Sequence, residues 1–246
     1  MSDDAFTHLP HLRDRMRPAE ESELRVTPEV LAFWDERARK LGRDPDWRLS
    51  DDELEASRLA LLGSLDPAED LWIYSYGSLM WDPGFHFAEV RLAEVVGYRR
   101  RFSYRSTIGR GTAERPALVL ALEPGSGSCR GLVFRISGAV AQAESAMVWR
   151  REMIRGGYRP TFIPVSTPQG EVRALAFASN PLHADHVGEL PVAETAAMIA
   201  GASGTLGTNR YYLEQVAARL QSLGIVDCYL QHLADQVQGI APAGEP

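Results

Sequence analysis

The sequence predicts an α+β fold: short strands forming a mixed sheet that curls into a β-barrel, helices packed against it, and a helical extension ahead of it. Three observations carry that expectation. Charged, helix-patterned residues fill positions 1–69; β-branched and aromatic runs punctuated by Gly, Pro and Ser begin at Asp70; helical patterns then interrupt and follow those runs. The expected division is therefore 1–69 as a helical N-terminal extension and 70–240 as the barrel domain.

In the extension, residues 1–22 are polar and contain Pro10 and Pro18, so this stretch is expected to be partly mobile. Thr27-Pro28-Glu29 reads as an N-cap with proline at the first helical position, followed by Val30, Leu31, Phe33 and Trp34. A second helix is expected from Ser50, where S-D-D-E fits a capping box and Leu54, Leu59, Leu61 and Leu62 supply an apolar side. Gly63, with Pro67 beyond it, stops that helix. Strands are expected over 71–76, 87–96, 101–104, 117–122, 131–136, 161–165 and 174–178, with Gly125-Ser126-Gly127-Ser128 as a turn between two of them. Helices are expected over 139–155, 192–201, 209–223 and 225–237.

Composition narrows the function. The 246 residues are 45% hydrophobic, enough for a packed core. The apolar runs at 116–122 and 174–177 are too short to cross a bilayer, and the acidic start M-S-D-D-A-F is unlike a signal peptide, so a cytoplasmic protein without membrane partners is expected. Net charge is −7 and Lys40 is the only lysine; the cluster Arg99, Arg100 and Arg101 is too short on an acidic chain to argue for nucleic acid. Cys129 and Cys228 are the only cysteines and form no C-x-x-C, so neither a disulfide framework nor a thiolate zinc site is indicated.

Familiar catalytic machinery is hard to find. Ser78 lacks the G-x-S-x-G frame of a nucleophile elbow. His183, Asp185 and His186 have a spacing that His8 and His11 repeat in a polar stretch, so it is weak support for a metal. Two features stand out instead. Gly77 follows the apolar run Leu71-Trp72-Ile73-Tyr74; a missing Cβ there lets peptide N–H groups converge on one oxygen, although an ordinary turn explains the same residues. Glu152 shares a helix side with Val148, Trp149 and Ser145, close to the Gly156-Gly157-Tyr158 stop. A carboxylate in apolar surroundings loses hydration and holds its proton toward neutral pH, the condition for proton transfer. The alternative is a structural ion pair with a neighbouring arginine: Arg155 at i+3 can reach Glu152, whereas Arg151 is adjacent and is expected to face elsewhere.

Taken in order, Tyr76-Gly77-Ser78-Leu79 with Trp81 and Pro83-Gly84, the stretch from Gly97 to Phe102, Arg110-Gly111-Thr112, the stretch from Gly131 to Ile136, Trp149-Arg150-Arg151-Glu152-Met153 with Gly157-Tyr158, and Tyr212-Leu213 resemble the ChaC family of glutathione-specific γ-glutamylcyclotransferases. The resemblance spans residues 70–237. It implies a mixed β-barrel of the γ-glutamylcyclotransferase type with flanking helices, acting on glutathione to give 5-oxoproline and cysteinylglycine without metal or organic cofactor. By the same resemblance Glu152 is the catalytic acid/base, and Ile73, Tyr74, Ser75, Tyr76, Gly77, Ser78 and Leu79 hold the γ-glutamyl group. Ser75 departs from the family pattern, which has glycine there. The chemistry suits the residues: the substrate's own α-amine lies within ring-closing reach of its γ-carbonyl, so no enzyme nucleophile is needed. A single carboxylate can take and return the proton. Arg110 suits a substrate carboxylate, and Tyr158 and Tyr212 are candidate pocket walls. Other γ-glutamyl substrates, or a non-catalytic regulatory role, remain open at this point, as does the oligomeric state.

Overall fold

The helix signals of the extension become helices where the caps are. The structure, a computed structural model, describes residues 3–66 and 68–241. Helix α1 spans Pro28–Lys40, and the Thr27 side chain accepts from the Val30 amide at 3.3 Å. Helix α2 spans Asp51–Leu62 and opens on a complete capping box: the Ser50 amide donates to Glu53 at 2.8 Å while the Ser50 hydroxyl accepts from the Glu53 amide at 3.2 Å. Gly63 caps it; Pro67, the second stop signal, lies outside the described residues.

Ahead of α1 the expectation of partial mobility is corrected. Asp3–Phe6, Pro10–Arg15 and Ala19–Glu21 form short 3-10 helices, and Phe6, Leu9, Leu12, Met16 and Ala19 are buried. Counting polar residues hid a sparse apolar set whose spacing of three to four brings it to one side. Phe6 meets Phe87 edge-to-face at 5.6 Å, anchoring the start of the chain.

The strands are β1 (Leu71–Ser75), β2 (Glu89–Ser106), β3 (Ala117–Ile136), β4 (Tyr158–Thr167) and β5 (Gly170–Ser179), closed into a barrel in the order β1-β3-β2-β4-β5. β1 runs antiparallel to β3 with Ile73 opposite Phe134 and Ser75 opposite Leu132, and pairs in parallel with β5 at Ile73 and Leu175. The sequence pattern divides β2 and β3 into two runs each, but both continue unbroken. Gly97 (φ 82°) and Gly127 (φ 100°) take left-handed conformations inside the strands, so the glycines bend the ladder without ending it and the Gly-Ser stretch is not a turn. Helix α3 (Gly138–Glu152) follows β3; α4 (Val192–Gly201), a two-residue hairpin β6 (Ser203–Gly204) and β7 (Gly207–Thr208), α5 (Asn209–Ser222) and α6 (Cys228–Gln238) follow β5.

The chain forms two compact units. One comprises residues up to 96 together with 130–178; the other comprises 97–129 and the residues from 179 onward. The first has an aromatic core in which Phe134 meets Phe85 at 5.6 Å and Phe87 at 5.0 Å, and Trp149 meets Phe177 at 5.8 Å. The second packs α4, α5 and α6 on one another, and Phe102 meets Tyr212 at 5.8 Å. No helix among the described residues is long and apolar enough to cross a membrane.

Candidate active site

In the first unit, β1 delivers the glycine loop. Ile73, Tyr74 and Ser75 are all buried, and a Cβ at Gly131 on β3 would stand 2.2 Å from the Ser75 carbonyl oxygen. Only glycine lets the two strands approach so closely, which fixes the end of β1. The Tyr76 hydroxyl donates to the Phe177 carbonyl at 2.7 Å, so that side chain serves the scaffold. Beyond Gly77 the chain turns into a 3-10 helix, Ser78–Met80, closed by Met80 N–H to Gly77 C=O at 2.9 Å. Among the described residues, the amides of Gly77, Ser78 and Leu79 have no hydrogen-bond acceptor. The Ser75 hydroxyl is likewise buried without a partner among the described residues. Unmet polar groups of this kind are costly in a packed interior and are expected where a ligand completes them.

Glu152 is the last residue of α3, with Val148, Trp149 and Ser145 buried on the preceding turns of its side, as the spacing predicts. Its side chain keeps 15% of its surface open, a narrow window on an otherwise enclosed carboxyl. Burial pushes that carboxyl above the usual carboxylate range, and the charge of Arg151 opposes the shift without cancelling it.

The arginine that meets Glu152 is not the expected one. Arg155 donates to the Trp47 carbonyl at 2.8 Å, while Arg151 Nε lies 3.3 Å from Glu152 Oε1. Adjacent residues diverge on a regular helix, but α3 ends at Glu152, which frees the two long side chains to fold together. The same guanidinium donates from Nη2 to Ser78 Oγ at 2.9 Å and from Nη1 to the Asp82 carbonyl at 2.6 Å. One planar cation therefore ties the carboxylate to the glycine loop. Ser78 is an acceptor for arginine here, consistent with its lack of a nucleophile frame. Tyr158 opens β4 and is half-buried.

The other two predicted residues belong to the second unit. Arg110 donates from Nη1 to the Leu206 carbonyl and lies over the rings of Tyr211 and Tyr212, with centroids at 5.5 and 5.9 Å. Among the described residues it has no carboxylate partner, and burial lowers its affinity for the proton. Tyr212 is buried. The histidines set aside as metal ligands turn to separate neighbours: His183 to the Tyr104 hydroxyl at 2.7 Å, His186 to Glu123 at 2.9 Å. Arg99 and Arg101 both pair with Glu189, and Arg100 with Asp227.

The family model described as ChaC-like protein matches residues 71–240. The chain belongs to the ChaC-like protein family. A glutathione-specific γ-glutamylcyclotransferase of Escherichia coli (strain K12) is 37% identical over 196 residues, covering 79% of this chain and 84% of that protein. Glutathione-specific γ-glutamylcyclotransferase 1 of Homo sapiens is 32% identical over 183 residues, covering 72% and 82%. The crystal structure of a yeast γ-glutamyl cyclotransferase specific to glutathione superposes with a TM-score of 0.64 at 23% identity, over 69% of this chain and 96% of that one. The ChaC-like match begins at β1, leaving α1, α2 and the segments before them outside it. Sequence reasoning missed Arg151 and Asp82, both of which face the loop; an arginine next to a glutamate carries no helical-face signal, and a lone aspartate in W-D-P-G reads as a turn residue.

Proposed function

We propose that this protein is a glutathione-cleaving γ-glutamylcyclotransferase, a lyase releasing 5-oxoproline and cysteinylglycine, with Glu152 as its single acid/base. The observation that carries the reading is the Arg151 guanidinium touching both Glu152 and Ser78, because it brings a proton-holding carboxyl and a loop of open amides into one constellation. Family membership and the names of the relatives support the same substrate.

The chemistry follows from these groups. The γ-glutamyl arm lies along the segment from Ile73 to Leu79, bent so that its α-nitrogen approaches the γ-carbonyl carbon. Glu152, in its ionised form, takes a proton from the α-ammonium; the freed nitrogen lone pair attacks that carbon and closes a five-membered ring. Negative charge gathers on the γ-oxygen, where the open amides of Gly77, Ser78 and Leu79 supply fixed donors. As the oxygen's charge collapses, the bond to the cysteinyl nitrogen breaks and Glu152 returns the proton to the departing amine; the ring nitrogen's second proton then passes through the same carboxylate to that amine, leaving a lactam N–H and an ammonium. The raised proton affinity of Glu152 suits the first half above all, since a carboxylate of low proton affinity is a poor base for an ammonium. Arg110, a desolvated cation with no carboxylate partner among the described residues, has the chemistry of a carboxylate receptor. A cytoplasmic setting fits the thiol substrate and the two cysteines that form no disulfide.

The test is release of 5-oxoproline from glutathione by purified protein with chelator present, beside a parallel incubation with γ-glutamyl-alanine. Wild-type turnover on glutathione and its loss by about 10²- to 10⁴-fold in Glu152→Gln is the expected result. Equal turnover by the variant would remove Glu152 from its role, and release from γ-glutamyl-alanine alone would change the substrate.

A further inference from the structure

The residues ahead of β1 lie outside the family match, yet they reach the candidate site. Resting on the reading of Glu152 and the glycine loop given above, we propose that the N-terminal extension is a positioning device for the catalytic carboxylate: Ser22 and Arg17 fix Asp82, and Asp82 fixes the guanidinium that lies against Glu152.

Each link is a short contact. Asp82 is 4% exposed. Its Oδ1 accepts from the Ser22 hydroxyl at 2.5 Å and its Oδ2 from Arg17 Nη1 at 3.3 Å, while the Arg17 amide donates to the Trp81 carbonyl at 2.9 Å. The carbonyl of the same Asp82 receives Arg151 Nη1, and Arg151 then spends its remaining donors on Ser78 and Glu152. A buried aspartate held on both carboxylate oxygens is a fixed point, so the guanidinium has one geometry available. Arg25 adds a brace on the far side of Pro83, donating to the Gly84 carbonyl at 3.2 Å.

The extension also grips the helix that carries Glu152. Trp149 Nε1 donates to the Ser57 hydroxyl at 2.9 Å, one turn before Glu152, and the Leu49 amide donates to the Ile154 carbonyl at 2.9 Å just after it. Both the loop and the helix end are thereby referenced to one segment. Packing that served stability alone has no need to converge on Arg151. Among the described residues Arg151 is also the one charged group whose field acts on Glu152, so displacing it has a distinct electrostatic signature.

The experiment uses the full chain with Ser22→Ala, measuring 5-oxoproline release from glutathione across pH together with Tm. Arg151 favours the ionised form of Glu152; a loosened Arg151 lets Glu152 hold its proton to higher pH. The ascending limb of kcat is expected to move up by about one pH unit, with kcat on that limb down about 10-fold and KM within about 2-fold. Ser22→Thr, which keeps the hydroxyl, is expected to restore the wild-type limb. If Ser22→Ala does not fold, Arg17→Ala is scored on the same limb, with an upward shift of about 0.3 unit expected, since its side chain is half exposed. A lowered Tm with limb and kcat unmoved overturns the proposal and leaves the extension a structural strap. Failure of the underlying reading is separate: it shows as a Glu152→Gln variant that still turns over, whatever Ser22→Ala does.

Discussion

Replacing Ser75 by alanine is expected to make the free protein more stable and its substrate complex weaker. The side chain sits at the end of β1, 1% exposed, with an Oγ that is buried and without a partner among the described residues. A buried hydroxyl left unmatched costs about 1–3 kcal/mol, whereas alanine keeps the Cβ and removes the polar atom. A small void offsets part of the gain, leaving about 1 kcal/mol of net stabilisation, or a Tm higher by about 2–4 °C for a chain of this length. If the hydroxyl is unmatched because glutathione completes it, the lost bond of about 1 kcal/mol raises KM about 5-fold with kcat little changed. Thermal unfolding and 5-oxoproline kinetics on one preparation measure both. A variant with a lower Tm and an unchanged KM would refute the reasoning, because it would mean that the hydroxyl is satisfied in the free protein and idle in the complex.

Glu152 holds its proton more tightly folded than unfolded, so its contribution to stability is full below the ordinary carboxylate value of about 4.3 and is lost as pH rises through the higher folded value. Glu152→Gln should therefore match wild type in Tm at low pH and exceed it increasingly toward neutrality; a constant difference would argue against burial as the cause. At Glu144, burial raises the carboxyl, but the hydrogen bonds from Arg25 and the His86 amide, with the Arg25 charge, together bring it below the usual range. Its stability contribution is present above about pH 4.3 and fades below, so Arg25→Ala, which strands a carboxylate whose side chain is 6% exposed, should cost about 2 kcal/mol in urea unfolding at neutral pH and less in acid. Gly84 has φ 69° and a Cβ there would stand 2.8 Å from the Leu24 carbonyl oxygen, so Gly84→Ala is expected to cost at least about 2 kcal/mol by the same measurement.

Much of the architecture is legible in the chain because caps and periodicity are local. Thr27, Ser50 and Gly63 state where helices begin and end, and the apolar side of α3 announces the setting of Glu152. What the sequence conceals depends on partners distant along the chain. The continuity of β2 and β3 through Gly97 and Gly127 is decided by neighbouring strands, which override a local preference for turning. The order in residues 3–21 rests on Phe6 meeting Phe87, a contact no window of the first twenty residues contains. At the site, Gly77 and Glu152 are visible as residue types in suggestive settings. Arg151 is not, because its role arises only where α3 stops and the loop from Ser78 to Asp82 comes within reach of its three donor nitrogens.

The reach of Ser22 and Arg25 into the barrel bears on modularity. A boundary drawn at Leu71, where the family model's match starts, would strip Asp82 of its hydroxyl donor and Glu144 of its guanidinium, leaving two buried acids without those partners. The segment ahead of the matched region thus supplies polar partners to two buried acids inside it.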